Sequence, residues 1–138
     1  SGVDLLPTLC SLTGAAMPSG HEPDGVDMGP AILGQPSDRG RPLFWEWRYG
    51  IAGDTIHRSP MLAVREGDWK LLVNPDGSRS ELYDVRRDPG EVDNLRAEHP
   101  DVAERLTRAV LAWQKTLPPG PMDPAAGRNA YPWPKPRP

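Results

Sequence analysis

The sequence predicts an α+β fold in which an antiparallel sheet of about four strands packs against one C-terminal amphipathic helix. Two patterns lead to this prediction. Between residues 43 and 85, four short segments alternate apolar and polar residues and are separated by turn residues, which is typical of an antiparallel meander. After residue 99, apolar residues recur every three or four positions, which indicates a helix with one buried face.

A short apolar helix is predicted near the start of the chain. Asp4 can serve as its N-cap, Pro7 falls in the first turn, where proline is tolerated, and Gly14 ends it. Its apolar residues recur at helical spacing: Val3, Leu5, Leu6, Leu9, Cys10 and Leu12. Because the chain opens at Ser1 with a helix too apolar to stand free in water, we expect a fragment whose first helix packs on preceding sequence.

Residues 15–41 are rich in Pro, Gly, Asp and Ser, which predicts a long surface connection with one helical turn at 28–33. Four predicted strands follow: Leu43–Tyr49, Met61–Arg65, Trp69–Val73 and Glu81–Val85. The turn residues of Gly67–Asp68 and Asn74–Gly77 separate the last three. Alternation in the first strand predicts an aromatic face with Trp45, Trp47 and Tyr49, packed into the core together with Trp69.

The amphipathic helix is predicted to begin with Pro100 at its first position and to cover one face of the sheet. Its apolar stripe consists of Val102, Leu106, Ala109, Val110, Trp113 and Leu117. Pro118–Gly120 ends the helix, and the residues up to Pro138 are predicted to form an extended tail.

Composition excludes several classes of function. The net charge is −3 and the basic residues are scattered among nineteen acids, so we expect no binding to nucleic acid. Cys10 is the only cysteine, which rules out an intrachain disulfide and a cysteine-based metal cluster. No apolar run approaches the ~20 residues of a membrane-spanning helix, so we expect no membrane partner.

Five segments come in an order and spacing that resemble the C-terminal end of the sulfatase family, of the arylsulfatase and N-acetylgalactosamine-6-sulfatase type: Val3–Leu9, Asp24–Asp27, Arg41–Glu46, Ala63–Leu72 and Glu81–Asp84. The resemblance implies that residues 1–41 belong to the end of a large alkaline-phosphatase-like α/β domain. It implies that residues 42–118 form the C-terminal subdomain and leaves residues 119–138 as a Pro-rich tail. The rest of the catalytic domain would then be the partner of this chain.

The resemblance also implies the chemistry of the complete enzyme. Sulfatases hydrolyse sulfate esters, here those of sulfated sugars, with a formylglycine made in a Cys/Ser-x-Pro-x-Arg motif beside a calcium ion. Cys10 is followed by Leu12 and Gly14 where the motif needs Pro and Arg, so it is predicted to be a buried helix residue. Asp24 and Asp27 have no third carboxylate nearby and are predicted to be turn residues. We therefore expect no catalytic residue, no metal site and no cofactor in this chain.

One segment is a candidate for substrate binding. The connection between the first two strands is longer than a hairpin requires and contains Arg48, His57 and Arg58. In enzymes of the resembled family such segments can reach the rim of the catalytic pocket, where these side chains would bind a sugar hydroxyl or an anionic group. The alternative is that they are ordinary surface residues of a loop.

The second reading of the whole chain is a non-catalytic carbohydrate- or protein-binding module. Trp45, Trp47 and Trp69 would then form an aromatic platform for a sugar ring, or Pro118–Pro121 would serve as a proline-rich ligand. The family is mostly exported or lysosomal, but the sequence itself specifies neither the compartment nor the sulfate ester.

Overall fold

The computed structural model describes residues 1–48, 59–124 and 126–127. The chain divides into two units, Ser1–Pro42 and Leu43–Pro138. In the first unit, helix α1 (Leu5–Thr13) begins after Asp4 and ends at Gly14, which has a left-handed backbone with φ 73°. The predicted bounds of this helix are thus confirmed. The helical turn predicted at 28–33 is α2 (Gly29–Ile32).

Two buried side chains of the first unit hold the loop that follows α1. The carboxylate of Asp4 does not cap α1 and instead accepts hydrogen bonds from the Val26 N–H (2.9 Å) and from Arg39 Nη2 (2.8 Å). The hydroxyl of Thr8 accepts a hydrogen bond from the Met28 N–H (2.8 Å). The loop that was predicted from composition alone is therefore fastened to one face of the helix.

The second unit contains the predicted four-stranded antiparallel meander, in the spatial order of the sequence. Its strands are β1 (Leu43–Glu46), β2 (Leu62–Glu66), β3 (Trp69–Val73) and β4 (Glu81–Asp84). Glu66 lies opposite Trp69, so Gly67 and Asp68 form the two-residue turn of a hairpin. Between β3 and β4, the Asn74 N–H donates to the Ser78 carbonyl over 2.9 Å and closes the predicted turn.

Helix α3 (Pro100–Gln114) packs on one face of this sheet, which confirms the α+β prediction. It begins at Pro100 as predicted but ends before Leu117, because the Thr116 N–H bonds to the Trp113 carbonyl in a tighter final turn. Trp113 is half-buried and stacks on Phe44 with a ring-centroid distance of 5.2 Å. The core beneath α3 contains Leu62, Val64, Leu71, Val73, Leu82, Ala103, Leu106 and Val110.

The segment after α3 packs on the sheet end of the second unit, around Arg48, Asn74 and Arg79. The prediction of an extended tail is therefore wrong for the described part of this segment. Ala126 is buried, and the Gly127 carbonyl accepts hydrogen bonds from Asn74 Nδ2 (3.0 Å) and from Arg79 Nη1 (3.2 Å). The Asp123 N–H donates to the Arg48 carbonyl over 2.7 Å. The prediction relied on apolar periodicity, which cannot reveal a segment that is held by hydrogen bonds.

Among the described residues, no helix has both the length and the apolar character needed to cross a bilayer.

Candidate functional site

Of the three residues predicted to bind substrate, His57 and Arg58 lie outside the described residues. Arg48 is described and is engaged within the second unit. Its guanidinium forms an ion pair with Glu46 and donates a hydrogen bond to the Pro118 carbonyl over 3.2 Å. The other carboxylate oxygen of Glu46 accepts a hydrogen bond from Gln114 Nε2 (2.8 Å). Arg48 thus connects β1 to the end of α3, and a contact between Arg48 and substrate stays a prediction.

A cleft of about 690 Å³ lies on the side of the sheet opposite α3. We call this side the second face; β1, β2 and β3 contribute to it Trp45, Ala63, Arg65, Lys70 and Leu72. Trp47, Ser59 and Pro60 also line the cleft. Residues on both sides of segment 49–58, namely Trp47 and Ser59, therefore lie at the cleft.

The two tryptophans of this cleft are exposed, so the prediction that they pack into the core is wrong. The relative exposure of Trp45 is 42% and that of Trp47 is 51%. Phe44 occupies the helix-facing position instead, because it lies opposite the buried Val64 and stacks on Trp113. Since side chains alternate along a strand, Trp45 must then point to the second face.

Trp69 differs from these two residues. It lies beside the core on the helix-facing side, and its ring contacts that of His99 with a centroid distance of 4.9 Å. The prediction of core packing is therefore confirmed for Trp69, and an aromatic platform of all three tryptophans is excluded.

Charged groups flank the two exposed indoles. Lys70 Nζ lies 2.6 and 2.7 Å from the two carboxylate oxygens of Glu91. Arg65, directly opposite Lys70 on the neighbouring strand, is exposed, and its Nε donates to the Gly67 carbonyl over 3.3 Å. The cleft thus combines aromatic surface with ionised side chains that remain accessible to solvent.

A buried acid lies farther along the second face, on β4. Burial raises the pKa of Glu81 to about 7, although Arg79 Nη2 lies 3.6 Å from its carboxylate and favours the ionised form. Burial also raises the pKa of Tyr83, two residues along the same strand face. Near neutral pH Glu81 is therefore divided between its protonated and ionised forms.

The first unit presents a second exposed surface, the apolar face of α1. Its leucines are between 42% and 60% exposed, namely Leu5, Leu6, Leu9 and Leu12, and Val3 just before the helix is 46% exposed. Cys10 is half-buried, so the prediction of a buried cysteine is too strong. This face has only aliphatic side chains, in contrast to the aromatic and charged lining of the cleft.

The residues present do not fit the formylglycine and calcium of a sulfatase active site. Cys10 belongs to α1 and lacks the proline and arginine of the modification motif. Asp27 is a turn residue whose carboxylate accepts a hydrogen bond from the Gly29 N–H over 2.7 Å. The described residues contain no group of three or more His, Cys, Asp or Glu side chains placed to bind a metal ion.

Comparison with known proteins shows similarity to sulfatases. The Delta 4,5-hexuronate-2-O-sulfatase of Bacteroides thetaiotaomicron is 36% identical over 112 residues, which cover 79% of this chain and 22% of the relative. Arylsulfatase A of Bos taurus is 31% identical over 131 residues, which cover 80% of this chain and 25% of the relative. The chain therefore spans about a fifth to a quarter of the length of the curated relatives it matches. No protein-family model matches the chain.

The fold leads to the same group of proteins. A crystal structure from Bacteroides thetaiotaomicron assigned to the sulfatases superposes with a TM-score of 0.54 at 28% identity. The superposition covers 88% of this chain and 27% of that protein. The resemblance to the sulfatase family first seen in the five sequence segments is thus confirmed by sequence comparison and by structure, over about four fifths of this chain.

Proposed function

We propose that this chain is the C-terminal part of a sulfatase that hydrolyses sulfate esters of sugars, and that it completes the fold of that enzyme. The observation that supports this proposal is the aliphatic face of α1, which the first unit leaves exposed. A water-soluble helix seldom exposes several large aliphatic residues on one face. The curated relatives are about four to five times as long as the matched segment, so they contain the additional protein that would cover this face.

The occupant of this face in our proposal is the catalytic domain of the same sulfatase. Leu5 and Leu9 are 60% and 56% exposed, so docking would remove more than half of each side chain's surface from water. Full burial of a leucine side chain is worth roughly 1.5–3 kcal/mol, which suggests about 1 kcal/mol for each of these residues. Together, the leucines of α1 would stabilise the contact between this chain and the catalytic domain.

The reactive groups would come from the catalytic domain. Formylglycine would supply the nucleophile and calcium would offset the charge of the sulfate group in the complete enzyme. This chain would contribute structure and the approach to the substrate. A sulfated sugar is the substrate class we propose because a relative with 36% identity is a Delta 4,5-hexuronate-2-O-sulfatase.

Leu9→Asp tests the docking of α1. In the complete sulfatase that contains this chain, we expect the charge to lower the free energy of unfolding by about 2–4 kcal/mol, because a carboxylate would be buried in the interface. In the 138-residue chain the same variant should unfold like the wild type, because Leu9 is exposed there. Urea denaturation followed by circular dichroism measures the free energy of unfolding of both proteins.

Leu33→Asp is the matched control, since Leu33 is 67% exposed in the same unit but lies outside α1. Leu33→Asp should leave the free energy of unfolding of both proteins unchanged. If Leu9→Asp unfolds like the wild type in the complete enzyme, α1 does not dock and the proposal fails.

His57 and Arg58 remain our proposed substrate contacts, supported by the position of the flanking residues Trp47 and Ser59 at the cleft. In the complete enzyme, His57→Ala and Arg58→Ala should each raise KM for a sulfated sugar about tenfold, or ~1.4 kcal/mol, with kcat little changed. A small aryl sulfate cannot reach a remote contact, so its kinetics should stay the same. Unchanged KM for the sulfated sugar in both variants would show that these residues are loop surface.

A further inference from the structure

We propose that the cleft on the second face is a glycan-binding site in which Trp45 and Trp47 bind a sugar ring and Arg65 binds its acidic substituent. The inference rests on the proposed function only for the class of sugar, namely one bearing a sulfate or carboxylate group. It assigns a role to two exposed tryptophans and an exposed arginine that line the same cleft.

Trp45 and Trp47 form the aromatic part of the cleft. Both are about half exposed, at 42% and 51%, and both line the same cleft. The residue opposite Trp45 on β2 is Ala63, whose small side chain leaves space beside the indole. Pyranose rings carry patches of C–H groups, and a flat indole offers them a large apolar surface with a polar N–H at its edge.

Arg65 and the pair formed by Lys70 and Glu91 form the charged part of the cleft. Lys70 is neutralised by its bidentate contact with Glu91. Arg65 is exposed and forms no ion pair with any residue in the described part of the chain. A guanidinium can donate two parallel hydrogen bonds to a carboxylate or a sulfate, whereas the Lys70–Glu91 pair suits neutral hydroxyls.

The chemistry of the cleft favours a sugar over a protein partner. A protein docked here would have to remove Arg65, Lys70 and Glu91 from water, which costs several kcal/mol per ion unless new partners match them closely. A bound sugar leaves such groups partly hydrated and can bridge to them through water. The aliphatic face of α1 imposes no such cost, so the two surfaces suit different partners. The cleft volume of about 690 Å³ is typical of small-molecule sites.

The test is direct binding to the 138-residue chain, with the unsaturated heparin disaccharide that carries a 2-O-sulfate as the probe. Isothermal titration calorimetry should show saturable binding in the millimolar range or tighter. Trp45→Ala and Trp47→Ala should each weaken it about tenfold, the effect of losing an aromatic contact of ~1.4 kcal/mol. Arg65→Ala should weaken binding of this disaccharide but not the weaker binding of uncharged maltose.

Two variants serve as controls for surface changes elsewhere in the second unit. Met122→Ala removes a side chain that is 58% exposed at a different cavity, and Arg105→Ala removes a positive charge on α3. Both should bind like the wild type, and circular dichroism should show that every variant is folded.

Absence of saturable binding, or equal affinities for wild type and both tryptophan variants, would overturn the proposal. The proposal would also be overturned if acrylamide failed to quench the fluorescence of Trp45 and Trp47 in the complete sulfatase, because the cleft would then be covered by protein. Neither result depends on Leu9, so docking of α1 can hold while the glycan site fails.

Discussion

At the scale of single residues, Asp4 explains why an Asp-Gly-Val-Asp segment follows the first helix. Burial by itself would raise the pKa of Asp4, but the hydrogen bonds from Arg39 and Val26 outweigh it and hold the pKa well below the usual range. Gly25 precedes Val26, and a Cβ there would lie 1.9 Å from the Val3 carbonyl oxygen. Only glycine allows the loop to approach α1 closely enough for the Val26 N–H to reach Asp4.

Glu81 is a second residue whose ionisation is coupled to folding, in the opposite direction. Its pKa is about 7 in the folded chain against 4.5 ordinarily. Between these values the folded state binds more protons than the unfolded state. The contribution of Glu81 to stability is therefore fully present below pH 4.5 and is lost as the pH rises to 7. The loss amounts to about 3 kcal/mol at 1.36 kcal/mol per pH unit.

Glu81→Gln should remove this dependence, because the amide resembles the protonated acid in shape and cannot ionise. We expect the wild type to lose about 2–3 kcal/mol of unfolding free energy relative to the variant between pH 5 and pH 8. Urea denaturation at several pH values measures the difference. Glu104→Gln, at an exposed pair with Arg108 on α3, is the control and should follow the wild type. If the unfolding free energies of the wild type and Glu81→Gln change with pH in parallel, the raised pKa of Glu81 is contradicted.

At the scale of elements, β1 shows what the sequence can and cannot predict. Alternation placed the start of the strand correctly at Leu43, but it extended the strand past its end at Glu46 and could not decide whether Phe44 or Trp45 faces the helix. In β2 and β3 a two-residue turn fixes the register, which sets Arg65 opposite Lys70. Between β1 and β2 the connection from Glu46 to Leu62 is too long for a tight turn to fix the register. The register of β1 follows from tertiary packing of Phe44 on Trp113, which no local pattern contains.

The segment after α3 leads to a prediction about truncation. Ending the chain after Leu117 removes the three hydrogen bonds made by Asp123 and Gly127 and uncovers the buried side chain of Asn74. We expect this to lower the free energy of unfolding by about 2–4 kcal/mol, since unsatisfied buried groups cost roughly 1–3 kcal/mol each. Ending the chain after Gly127 keeps these contacts and is the matched control.

Trp113→Ala provides a reference in the same denaturation series. Because Trp113 is half-buried, we expect a loss of about 2–3 kcal/mol, below the 3–5 kcal/mol typical of fully buried aromatics. The truncation after Leu117 and Trp113→Ala should thus lower the free energy of unfolding by similar amounts. A chain ended after Leu117 that unfolds like the one ended after Gly127 would show that the segment adds nothing to stability.

At the scale of the whole molecule, the sequence predicted the sheet, its order and the covering helix, because each depends on local periodicity and turn residues. The candidate site was less predictable. His57 and Arg58 were singled out by the length of their loop, whereas Trp45 and Trp47 were assigned to the core. Their exposure depends on which sheet face α3 covers, and that choice is made by packing between distant parts of the chain.

The order of the strands along the sequence has a consequence for synthesis on the ribosome. The sheet is complete at Asp84, but the helix that covers its apolar face ends only at Gln114, thirty residues later. At about 5–20 residues per second, translation of that interval takes roughly 2–6 seconds. During this time Leu62, Val64, Leu71, Val73 and Leu82 lack their cover. During that interval the nascent chain exposes apolar surface through which it can aggregate or bind a chaperone.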